Sequence, residues 1–309
     1  MIMPSKLRHA LLAVAPSLFS SAGAQAQTAE LLQYMSHQSP VQFDGPTEAL
    51  TSFREAVAND DLPRLGAILG LDPEKLASSS EAIDSFSLIK RAASDRLLLK
   101  DDGNRFIVEI GQVQWPLPFP LVKANGRWAF DTKVGLEEIT NRRVGENEIE
   151  AITTLRAYVD AQEEYALADF DGDAVLEYAQ KLISTPGSRD GLYWPEGQGN
   201  GLSPAGDLSQ IGLKQVKADE GYFGYRFKVL TRQGSNIAGG TFAYVINGNM
   251  IAGFGLVAWP VVYGQTGVQT FVVNRNGIVY QADLGPHSAV LASEMHEFNP
   301  DDSWEITED

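Results

Sequence analysis

The chain has 309 residues with 44% hydrophobic and 21% charged content, an ordinary globular balance, and at this length two domains are favoured over one. It contains no cysteine, which excludes disulfides, thiolate metal sites and cysteine nucleophiles. Acidic residues outnumber basic ones 40 to 24, a balance that repels nucleic acid and anionic lipid and favours solubility.

The N-terminus, "MIMPSKLRHALLAVAPSLFSSAGAQAQ", sets Lys6 and Arg8 before an apolar run from Ala10 to Phe19 and a small-residue Ala24-Gln25-Ala26. That order predicts a secretory signal peptide over 1–26, cleaved after Ala26, and a periplasmic or secreted protein. The apolar run falls short of the ~20 residues of a membrane span, so no span is expected in the mature chain. Cleavage would remove two basic residues and no acid, leaving 22 basic against 40 acidic residues and a net charge of −18.

Residues 27–42 read as a flexible leader, and 43–140 as an N-terminal α+β domain. In "FDGPTEALTSFREAVANDDLPRLGAILG", Asp44 or Thr47 is placed to cap a helix whose apolar face holds Leu50, Phe53 and Val57. A second helix with Leu62, Leu65 and Leu69 should stop at Gly70, and 81–95 continue helical. The period then becomes two in "RFIVEIGQVQW", and "NGRWAFD" opens with a turn at Asn125-Gly126. The prolines of "WPLPFPL" confine that stretch to an edge or polyproline segment.

The C-terminal domain, 141–309, opens on a helix of about six turns with Ile149, Ile152, Leu155, Val159 and Gln162 on one face. An acidic loop follows, then a shorter helix expected to carry Val175, Leu176, Ala179, Leu182 and Ile183. Beyond a glycine-rich loop come "YFGYRFKVLT", "GTFAYVIN", "GFGLVAWPVVY", "VQTFVVN" and "GIVYQADLG", read as an antiparallel meander with a hairpin at Asn276-Gly277. A closing helix over 288–297 and a tail pinned by Trp304 complete an α+β chain.

The order "DGLYWP … GYRFKVLT … AYVINGNMIAGFGLVAWPVVYGQTGVQTFVVNRNGIVYQADLG", with "FPLVKANGRWAFDT" and "NRRVGENEIEAI" upstream, resembles the bacterial domain-of-unknown-function 2950 family over nearly all of 45–305. The resemblance implies an exported protein and carries no catalytic residues onto this chain. The long helix followed by "GYRFKVL", "GFGLVAWPV" and "GQTGVQTFVVNRNGIV" is also similar to the soluble domain of pilin-like and pseudopilin proteins, which implies a helix packed on an antiparallel sheet. The membrane-spanning N-terminal helix of pilins has no counterpart here.

Chemistry concentrates in "DFDGDAVLEYA". As a calcium loop, Asp169, Asp171 and Asp173 take positions one, three and five, the Val175 carbonyl position seven and Glu177 position nine. Ala174 stands where glycine is wanted, and Gln180 replaces the final carboxylate. The competing reading has Asp173 capping the helix expected at Ala174, with Asp169 and Asp171 near its positive end. In "STPGSRDGLYWP", Arg189 and Asp190 could line a cleft with Tyr193 and Trp194 as its aromatic floor, or the two aromatics could plug the core beneath a loop. Arg142 and Arg143 read as inter-domain ion-pair formers, and His296 as a surface residue.

No nucleophile elbow or zinc motif is present. Three readings follow. The first is an exported envelope protein that binds or scaffolds an envelope protein or small ligand without catalysis, in a calcium-stabilised or calcium-free form. The others are a carboxylate- or metal-assisted hydrolase using 169–193, and a pseudopilin-associated secretion component.

Overall fold

A computed structural model describes residues 29–170, 172–195, 203–206 and 221–308. They form two compact units, one through Arg142 and one from Arg143. No helix among the described residues is long and apolar enough to cross a membrane.

In the first unit, a short helix α1 (Ala29–Leu32) precedes α2 (Pro46–Ala58), α3 (Leu62–Leu69), α4 (Pro73–Ser78) and α5 (Ser80–Asp95). The expected Asp44 or Thr47 cap on α2 is not made. Gly45 holds the cap position, Pro46 supplies a preset φ at the first turn, and Asp44 instead pairs with Arg127. α3 is capped by Asp61, whose Oδ1 accepts the Arg64 amide at 2.9 Å, and it ends on Gly70 at φ 71°, a left-handed stop that glycine adopts without strain. Ahead of α2, backbone bonds tie the chain to α3 and α4: Ser36 N–H donates to Gly70 O, Val41 N–H to Ala67 O, and Asp72 N–H to Tyr34 O.

The helices cover an antiparallel sheet of β1 (Leu97–Asp101), β2 (Arg105–Ile110), β4 (Leu121–Ala124) and β5 (Arg127–Phe130), with β3 (Trp115–Pro116) beside β2. Asn125 and Gly126, both at positive φ, form the two-residue turn between β4 and β5, whose type matches the twist of the strands it joins. The proline stretch does lie at an edge, with Leu117 and Phe119 buried beneath it. The core gathers Phe53, Val57, Ile68, Val108, Ile110, Leu121 and Phe130.

A 34-residue helix, α6 (Thr132–Tyr165), contains the division between the units. It starts well before the expected site because Gly145 does not break it. A mid-helix glycine costs only about 1 kcal/mol, and the buried Leu136, Thr140 and Val144 carry one stripe through the turn before it. Arg142 is engaged within its own unit. Its Nε pairs with Glu138 at 2.8 Å, Nη1 donates to Pro116 O, and the guanidinium lies 5.3 Å over Trp115.

In the second unit the main sheet comprises β6 (Tyr225–Leu230), β11 (Gly255–Pro260), β12 (Thr270–Asn274), β13 (Tyr280–Ala282) and β15 (Glu305–Ile306), in the antiparallel order β15-β13-β12-β11-β6. β7 (Arg232–Gln233) joins β8 (Phe242–Ala243) and, in parallel, β14 (Glu297–Phe298). β9 (Val245–Ile246) and β10 (Asn249–Met250) form a hairpin turning at Asn247-Gly248, again both at positive φ. β11 and β12 are buried along their whole length, as strands covered on both faces are. Leu256, Ala258, Phe271 and Val273 face a core with Leu155 and Tyr158 of α6, while Val257, Trp259 and Val272 face α7 (Ser288–Glu294), Phe298 and Trp304.

The buried stripe of α6 in this unit is Ala151, Leu155, Tyr158, Gln162 and Tyr165, rotated from the expected face, and Ile149 is exposed. Tyrosines whose hydroxyls find partners bury as well as isoleucine, and this moves the stripe. α7 ends at Glu294, three residues earlier than expected, and the chain then enters β14.

Candidate functional site

The helix expected after the acidic loop does not form. Ala174 sits at φ 68°, and the following residues are irregular, with single-residue bridges from Tyr178 to Met250 and from Ile183 to Tyr193. Leu176 and Ile183, meant for the apolar face, are 59% and 52% exposed. The cause lies in α6. Gln162, fully buried, accepts the Ala179 N–H on Oε1 and donates through Nε2 to Ala179 O, both at 2.8 Å, so that its amide acts as a neighbouring strand would. Nε2 also donates to the Tyr158 hydroxyl, which donates in turn to Gly255 O at 3.2 Å. A helical 174–183 would forfeit this pairing, and Asp173 therefore caps no helix.

The carboxylates of the loop have other work. Asp169 accepts the Gly172 N–H on Oδ1 at 2.7 Å and the Ala174 N–H on Oδ2 at 2.9 Å. Asp173 accepts the Val175 N–H on one oxygen and Asn249 Nδ2 on the other, and Glu177 accepts the Met250 N–H at 2.8 Å. With Gln180 donating to Gly248 O, the segment 173–180 grips the β9–β10 hairpin. Asp171 lies outside the described residues. Among those described, no group of three or more histidine, aspartate or glutamate side chains is placed to hold a metal ion.

The second candidate region meets the first through its rings. The Phe170 ring lies 4.8 Å from that of Tyr165 and 5.2 Å from that of Trp194, with the Arg189 guanidinium 5.1 Å over the Phe170 ring. Tyr193 and Trp194 are buried in the α6 core, and the Tyr193 hydroxyl and Trp194 Nε1 have no hydrogen-bond partner among the described residues. Asp190 organises its own loop. Its carboxylate accepts the Thr185 N–H and Ser188 hydroxyl at 2.7 Å, the Thr185 hydroxyl at 2.8 Å, and pairs with Lys181. Burial works against its charge, yet the Lys181 ammonium and the Ser188 and Thr185 donors together hold the carboxyl well below the usual carboxylate range. An acid so held stays ionised and is unsuited to donating or shuttling protons near neutral pH. Gly191 lets the two arms of this loop touch, since a Cβ there would lie 2.8 Å from backbone atoms of Ile183 and Ser184.

Two further features carry no sequence signature. Glu148 on α6 accepts the Val268 and Gln269 amides on Oε1 at 2.8 and 3.0 Å. Burial pushes its carboxyl pKa up, against the pull of those amides and of Tyr225. Asn147 Nδ2 donates to Thr266 O beside it, so α6 holds the β11–β12 connection by two side chains. The second feature is a groove of about 470 Å3 beside β7 and β14, whose lining includes Arg232, Val272, Met295, Glu297 and Trp304. Its members come from distant stretches of chain, and no spacing announces them.

A sequence model of the family described as protein of unknown function (DUF2950) matches residues 41–307. No curated protein and no solved structure matches the chain, so the likeness to pilins remains an expectation from sequence alone.

Proposed function

The chain belongs to the DUF2950 family, and from that premise we propose an exported envelope protein that binds or scaffolds a partner without catalysis. One observation carries the reading. Among the described residues, the carboxylates that 169–193 offered to chemistry are bonded to backbone amides and to the β9–β10 hairpin, and Asp190 is held ionised by four donors. A carboxylate-based hydrolase would instead need a pair of acids with separated protonation states facing a shared space. Export rests on the basic, apolar and small-residue order of 1–26.

Cross-linking in intact cells, followed by purification from a periplasmic extract, tests both parts. The expected result is a mature chain beginning at Gln27, joined to a defined envelope partner. Recovery from the cytoplasm with its leader intact removes export, and recovery without any cross-linked partner removes the scaffold role.

A calcium-stabilised form is a second reading, favoured by the conformation of the acidic loop. Ala174 occupies the left-handed position that calcium loops give to glycine, and Asp169 accepts the amides at the fourth and sixth positions. Millimolar calcium should then raise the Tm, and Asp171→Ala should abolish the rise. An unchanged Tm ends the idea.

A further inference from the structure

The groove beside β7 and β14 holds four ionisable side chains: Arg232, Glu294, His296 and Glu297. Arg232 and Glu297 are partners in register on parallel strands about 4.8 Å apart. Opposite charges so placed could pair, yet neither makes an ion pair or side-chain hydrogen bond among the described residues, and neither do Glu294 and His296. Val272, almost fully buried, forms apolar floor, and the half-buried Trp304 and Met295 add an aromatic and a flexible wall.

These walls are fixed without a ligand. Thr231 N–H donates to His296 O and Gly234 N–H to Phe298 O, fastening the strand bearing Arg232 to the one bearing Glu297. Asn299 Oδ1 accepts the Asn236 N–H at 2.8 Å, and the buried Gln233 holds the 238–240 turn through two carbonyls. Trp304 is set by the turn at Asp301, which accepts the Ser303 amide on its side chain and the Trp304 amide on its carbonyl. The volume lies within the roughly 300–1,000 Å3 typical of small-molecule sites.

We infer that this groove binds a small zwitterion, an amino acid or dipeptide, with its carboxylate on Arg232, its ammonium on Glu297 and Glu294, and its side chain against Trp304 and Met295. The charges select the class. A simple carboxylate would be repelled by two glutamates, and a simple amine would leave the Arg232 fork without the planar acceptor it suits. A molecule with both groups engages both signs. The inference goes beyond the scaffold role proposed above and stands on the groove alone.

Calorimetric titration of the mature chain with L-leucine, L-leucyl-L-leucine, 4-methylpentanoate and 3-methylbutylamine tests it. At least one zwitterion should bind, and whichever binds more tightly decides between amino acid and dipeptide. The two single-charge analogues should bind about tenfold more weakly or worse. Arg232→Met should weaken the zwitterion about tenfold while sparing the amine, and a Glu294→Gln/Glu297→Gln double variant should weaken the zwitterion about tenfold while sparing the carboxylate. Circular dichroism of both variants checks that the fold is retained. Absence of binding by either zwitterion at millimolar concentration overturns the inference, as does Arg232→Met binding like the parent or single-charge analogues matching the zwitterions. Any of these results leaves the cross-linking experiment unaffected.

Discussion

The acidic loops of 169–193 and the groove beside β14 draw on the same residue types to opposite ends. In the loops every described carboxylate bonds to nearby backbone or to the hairpin beside it, so charge is turned into local shape. In the groove, charges of both signs stand within reach of one another and remain unengaged. The lesson is that acid density along a chain says little about function, whereas the number of donors already facing each acid says much. Substitutions in the loops should therefore register as lost stability, and substitutions in the groove as lost binding.

Gln162→Leu should show the largest loss of stability. It keeps the side chain's approximate volume but strands the Ala179 amide and carbonyl in the core, at about 1–3 kcal/mol each, so urea denaturation should register a loss of about 3 kcal/mol. Asp190→Asn comes next, at about 1–2 kcal/mol, because the ionic acceptor shared by Lys181, Ser188 and Thr185 becomes a neutral amide. Its sign with pH is fixed. The folded pKa lies below the ordinary 3.8, so the wild-type advantage is full above that value and fades as pH falls through the folded pKa. Urea titrations repeated toward acid should show the two proteins converging.

Glu148→Gln is smaller and opposite in its pH trend. The folded pKa is raised above 4.5, so the wild type is favoured below that value and loses stability as pH climbs through the folded pKa. Glutamine retains an acceptor for the Val268 and Gln269 amides without a charge to bury. The variant should therefore match or exceed the wild type at neutral pH, by at most about 1 kcal/mol, with a flatter profile. Arg232→Met should move stability least, within about 0.5 kcal/mol, while its binding defect is the largest of the set. A substantial stability loss there would dissolve the contrast between the two regions.

Much of the architecture was written locally. Gly70 stops a helix because a left-handed residue is needed there, and Asn125-Gly126 turns a hairpin because both positions need positive φ. The α+β class followed from the switch of apolar period between 95 and 106. The apolar spacing of 174–183 fits a helix equally well, and the partner that decides against one, Gln162, sits on another element. Phe170 and Trp194 lie more than twenty residues apart yet bring the two candidate regions together. The groove was hidden for the same reason: its cations, acids and rings are individually ordinary, and only the fold assembles them.

The pairing of one glutamine side chain with Ala179 has a consequence for exchange with solvent. In a ladder, an amide is guarded by a strand whose many bonds open together, whereas the Ala179 amide is guarded by a single side chain rooted in a helix. Its deuterium uptake should follow the unfolding of α6 rather than that of the main sheet, which makes it a reporter, placed in an irregular segment, of the integrity of a helix.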